Sequence, residues 1–140
     1  MQDPNKSGLE NDCKELLRGL QGALSWKWDS RFETVLAEFG ADQKESIRKV
    51  LERYLKTIWD SSNIDRAPDI VRMINSRLGG LRSRQLLFTS DPEKEAFMFC
   101  AWWPWGDGET ISIRLAPFYK ELSDSEKAEK IQRFKGWFGI

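Results

Sequence analysis

Eight consecutive apolar residues, Ala96 to Trp103 (AFMFCAWW), constrain the fold of this 140-residue chain more than any other stretch. The run is too short to span a bilayer and is bounded by polar and turn residues, so it reads as a strand. Apolar side chains at every position mean that both faces are covered, which places the strand in the interior of a sheet. Trp105-Gly106-Asp107-Gly108 then forms a turn cluster, and Thr110 to Leu115 alternates: Ile111, Ile113 and Leu115 on one face, Thr110, Ser112 and Arg114 on the other. That pattern predicts a hairpin partner with one wet face, an edge strand ended by Pro117. Leu86-Leu87-Phe88, closing at Asp91-Pro92, supplies a third short strand.

The other segments read as helical. Leu9, Cys13, Leu16, Leu17, Leu20 and Leu24 recur at helical spacing after a polar stretch, residues 1–8, that reads as a flexible end. Gly19 and Gly22 weaken this helix or let another element pack close. Phe32, Val35, Leu36 and Phe39, followed by Gly40, predict a short second helix with a terminal glycine. Asp42 and Glu45 have the spacing of a capping box. After them Ile47, Val50, Leu51, Tyr54, Leu55, Ile58 and Trp59 mark one long core helix, its apolar face expected against Phe97 or Phe99. Pro68 opens a fourth helix with Ile70, Val71, Ile74 and Leu78 on its apolar face, and Gly79-Gly80 stops it. Ser123 with Glu126 caps a last helix carrying Ala128, Ile131, Phe134 and Phe138. The expectation is one α+β domain over residues 9–140: a helical N-terminal half, a three-stranded antiparallel sheet and a C-terminal helix.

Composition excludes several chemistries. The chain has no histidine, so Ser-His and Cys-His nucleophiles and His-ligated zinc are not available within it. Its two cysteines, Cys13 and Cys100, are far apart and form no thiolate cluster; they read as buried free thiols, with a disulfide between them as the alternative. Lys plus Arg equals Asp plus Glu, 22 of each, and the zero formal charge argues against a nucleic-acid partner. The N-terminal residues have no apolar signal core and no apolar run is long enough for a membrane span, so the expected compartment is the cytoplasm, with no membrane partner and no cofactor.

The stretch from Phe88 to Phe138 resembles the deuterolysin-like, peptidyl-lysine metallopeptidases (aspzincins) in the order of its elements. Phe39-Gly40, the segment Ile111 to Phe118 (ISIRLAPF) and Asp124-Ser125 stand where that family has a Phe-Gly, a cleft-bordering strand with its aromatic, and the start of the active-site helix. The resemblance implies a zincin-like scaffold. It also implies that the zinc motif has degenerated: the three positions of the family's HExxH are Gln132, Arg133 and Gly136, which supply neither ligands nor a general base. The family's third ligand, an Asp beyond that helix, has no counterpart before Ile140.

The residues that stand out are those of a binding surface. Trp105, with Asp107, stands at a hairpin tip where a large aromatic can anchor a partner, and Arg114 on the wet strand face could supply a rim charge. Arg77, Arg82 and Arg84 cluster around Gly79-Gly80, with Arg66 and Arg72 near them. Trp26 and Trp28 flank Lys27 and read as lids between helices. Glu93 and Glu95 form an ExE pair of the kind ADP-ribosylating toxins use, without the companion Arg and Ser-Thr-Ser strand. The functional expectation is a non-catalytic protein-interaction module, of the immunity or inhibitor type, that binds a toxin or enzyme. The alternative is a toxin or effector enzyme working through carboxylates and Arg.

Overall fold

A computed structural model describes residues 4–20 and 24–140. The Ala96–Pro104 strand is central, as its apolar run requires, but the sheet around it has six strands rather than three. In chain order these are β1 (Lys27–Asp29), β2 (Thr34–Gly40), β3 (Thr57–Trp59), β4 (Leu86–Thr89), β5 (Ala96–Pro104) and β6 (Thr110–Tyr119). Their spatial order is β1-β2-β6-β5-β4-β3, antiparallel throughout. Four helices accompany them: α1 (Pro4–Gly19), α2 (Lys44–Tyr54), α3 (Asp69–Arg77) and α4 (Asp124–Trp137).

Three expectations about these elements are corrected. Phe32 to Phe39 is not a helix: Val35, Ala37 and Phe39 point one way along β2 and are buried, while Leu36 and Glu38 point the other. The apolar spacing fits either period, and pairing with β6 selects the strand. The long helix ends at Tyr54, and Thr57-Ile58-Trp59 leaves it to pair with β4. The strand at Thr110 is no edge; it lies between β2 and β5, and the edges are the three-residue strands β1 and β3. Such short edges limit the exposed backbone available for unwanted pairing.

Ser123 and Glu126 do form a reciprocal capping box at α4. Asp42 and Glu45 do not: Ala41–Gln43 is a 3-10 turn, and α2 starts without a side-chain cap. Pro68 is the N-cap of α3, and Gly79 and Gly80 take the positive φ values that end it. At α1 the helix already runs from Pro4, within the stretch read as a flexible end. Gly19 meets α2 closely, since an added Cβ would stand 3.0 Å from Val50 Cγ1; Gly22 lies outside the described residues.

Strand register divides the core into two faces. Phe39, Phe88, Met98, Cys100, Trp102, Ile113 and Leu115 share the first. The α2 side chain Arg48 lies over the Phe88 ring there, so α2 belongs to this face. Phe97 and Phe99 point to the second face, away from α2, which corrects the expected contact. Leu51 and Leu55 are nevertheless fully buried, and Val50 and Ile58 half-buried. Cys13 and Cys100 are buried and unpaired, and burial pushes the Cys13 thiol up to about 12. Among the described residues no helix is long and apolar enough to cross a membrane.

Candidate cleft on the second face of the sheet

The second face changes character along β6. Toward the β1 edge, Leu36, Trp103 and Arg114 are half-buried, while Lys27 and Glu38 are exposed and pair across the two strands. At the C-terminal end of β6 a cleft of about 440 Å³ opens between the sheet and two helices, with Trp28, Pro117 and Tyr119 of the first face also reaching it. Its floor is Phe99, Ala116 and Phe118; α3 supplies Ile74 and Arg77, α4 supplies Lys127, Ile131 and Phe134, and the β1–β2 turn supplies Arg31, Phe32 and Glu33. This volume is within the range of small-ligand and side-chain pockets, roughly 300–1,000 Å³.

The turn that forms one wall is held by Asp29. Its carboxylate accepts hydrogen bonds from the Arg31 amide at 3.0 Å and from the Arg114 guanidinium at 2.8 Å. Burial alone would raise this carboxyl, but the bonds from Arg114 and the Arg31 and Phe32 amides outweigh it and hold it below its usual range. Arg114 is sandwiched as well, 4.3 Å from the Trp103 ring centre and 5.4 Å from that of Phe32. The stack orients Phe32 at the cleft wall. Glu33, next along, adopts a left-handed conformation with φ of 54°, unusual for a residue with a side chain.

The residues singled out in the sequence are therefore dispersed. Arg77 lines the cleft, and its α3 position puts it at the rim. Arg82 and Arg84 are exposed in the loop before β4, which enters the sheet beside Trp102 and so at the far end. Arg114 has its guanidinium engaged by Asp29 and two rings. Asp107 accepts hydrogen bonds from the Glu109 and Thr110 amides and the Thr110 hydroxyl, closing the hairpin turn. Trp105 is 45% exposed at that tip. Its amide bonds the Thr110 carbonyl, which places it about 20–30 Å along β6 from the cleft at roughly 3.3 Å per residue. Because the ring is so exposed, Trp105→Ala is expected to change unfolding free energy by less than about 0.5 kcal/mol. Chemical denaturation checks this, and loss of the cooperative transition would mean the ring is part of the core.

Gln132, Arg133 and Gly136, the positions matched to the zinc motif, lie on α4 and are exposed, with Arg133 3.7 Å from Glu129. Among the described residues no three His, Cys, Asp or Glu side chains gather as a metal site. Glu93 and Glu95 are exposed in the turn before β5. Trp26 packs on Phe138 with ring centres 5.0 Å apart, and Trp28 lies under Lys135 at 4.7 Å.

The cleft itself had no single sequence signal. Its lining comes from β1, β5, β6, α3, α4 and one turn, and only Arg77 among those residues stood out as a binding candidate. No family model matches the chain, and no curated protein or solved structure matches it at a significant level.

Proposed function

We propose that this chain is a non-catalytic module that binds a segment of another protein in the cleft between β6, α3 and α4. The supporting observation is the make-up of the cleft: half-buried Phe32 and Phe118 offer apolar surface over the buried Phe99 and Phe134, in a preformed concavity whose cations Arg31, Arg77 and Lys127 are exposed. The lining is a poor source of acid–base chemistry. It holds one carboxylate, Glu33, and one phenol, Tyr119, whose hydroxyl burial pushes up to about 12. An inhibitor or immunity role, with a toxin or enzyme as the partner, is the form of this reading that suits a small chain of zero net charge.

The test is selection of random displayed peptides on the folded protein, followed by mapping of backbone amide shifts. The reading expects enriched peptides that move the resonances of Ile74, Phe99, Phe118 and Ile131. Failure to enrich any peptide, or shifts confined to the Trp105 hairpin tip, would overturn it.

A further inference from the structure

Resting on that reading, we propose that the segment the cleft accepts is acidic and carries one apolar anchor side chain. The floor and walls take the anchor. The rim decides the charge: Arg31, Arg77 and Lys127 line the opening against a single carboxylate, Glu33, a balance of three cations to one anion on a chain whose formal net charge is zero. Six ion pairs occur among the described residues, and none of these three cations takes part in one. Each has an exposed side chain, so its charge is presented to solvent at the mouth rather than neutralised within the fold.

The three cations come from separate elements and converge by tertiary packing. Arg31 is set by the turn that Asp29 and Arg114 hold, and its guanidinium lies 5.0 Å from the Phe32 ring centre. Arg77 belongs to the last turn of α3, and Lys127 to the second turn of α4. Complementary charge at a rim steers encounter and selects partners, while the buried anchor supplies most of the affinity. An acidic stretch with a Phe, Leu or Trp in its midst matches both requirements. A basic segment would meet three like charges, and an acidic segment without an anchor would leave the aromatic floor unfilled.

The test uses three synthetic peptides with blocked ends: Glu-Glu-Phe-Glu-Glu, Glu-Glu-Ala-Glu-Glu and Lys-Lys-Phe-Lys-Lys, titrated against the whole protein with amide shifts as the readout. The first is expected to bind in the cleft, the second about tenfold more weakly and the third not at all. Arg77→Glu is expected to weaken the first peptide about tenfold, and Glu33→Gln to tighten it about threefold, since the first reverses a rim cation and the second neutralises the rim anion. Added salt is expected to weaken it too. Equal binding of the acidic and basic peptides, no cleft shifts with the first, or indifference to Arg77→Glu and to salt would overturn the proposal. Both variants change exposed side chains, and an unchanged melting transition confirms that they fold. If displayed peptides enrich in the cleft but are not acidic, the binding reading stands and this proposal falls; if none maps to the cleft, the reading itself falls.

Discussion

Trp102→Ala is expected to cost roughly 3–5 kcal/mol of unfolding free energy, the range for removing a large aromatic from a packed core. Trp102 is 4% exposed, on β5 between its neighbours β4 and β6. Its ring packs in tilted, edge-on fashion against Phe39 at 5.5 Å and Phe88 at 5.9 Å between centres, which joins β2, β4 and β5 on the first face. Removing it leaves a void bordered by both rings, and neither can fill it without giving up its own packing. Urea denaturation measures the loss. A cost below about 1 kcal/mol would mean that the first face repacks freely, contrary to its many fully buried side chains.

Arg114→Met is expected to cost roughly 2–4 kcal/mol, somewhat below the loss for breaking a fully buried ion pair because the two side chains keep 16% and 14% exposure. The methionine retains apolar contact with Trp103 and Phe32 but leaves the Asp29 carboxylate without its strongest donor. Arg114→Met with Asp29→Asn is expected to cost less than the sum of the single changes, because the second substitution removes the stranded charge. The pair also sets a pH dependence. Asp29 is held below its usual value when folded, so its contribution is present above the ordinary carboxylate range and is lost as pH falls through the depressed folded value. Arg114→Met is therefore expected to flatten the acid-side decline in stability, read from denaturation midpoints at falling pH. Unchanged acid sensitivity would show that Asp29 is not the group responsible. Since Asp29 also bonds the Arg31 amide, the same variant is expected to loosen the wall of the cleft.

Where the sequence was legible, one local pattern admitted one structure. The unbroken apolar run at Ala96 could be satisfied only by cover on both faces, and β5 is central. The Ser123 and Glu126 box is made within one turn of backbone, so no distant residue could alter it. Cys13, on the apolar spacing of α1, and Cys100, inside the apolar run, are buried thiols.

Where it was misread, two periods fitted the same residues. Phe32, Val35, Leu36 and Phe39 obey helical spacing, yet Val35, Ala37 and Phe39 also obey strand spacing. Ile58 and Trp59 continue the phase of α2 although the chain has already turned toward β4. What separates the alternatives is the free backbone edge that a three-stranded sheet would expose: β6 and β4 have unpaired groups until β2 and β3 dock. That requirement belongs to residues far away in the chain and leaves no mark in the local pattern.

The cleft is the extreme case. Its cations come from a β-turn, the end of α3 and the start of α4, and each alone is an ordinary surface charge. Arg114, read as a rim charge, is instead drawn inward by Asp29, a residue 85 positions away. The sequence by itself determined an α+β chain with a buried central strand, no thiolate cluster and no histidine chemistry, because those follow from composition and from patterns that close within a few residues. Only the tertiary structure decided the number of strands, the inward role of Arg114 and the cationic mouth of the cleft, because each depends on which distant backbone edges and charges are brought within bonding reach.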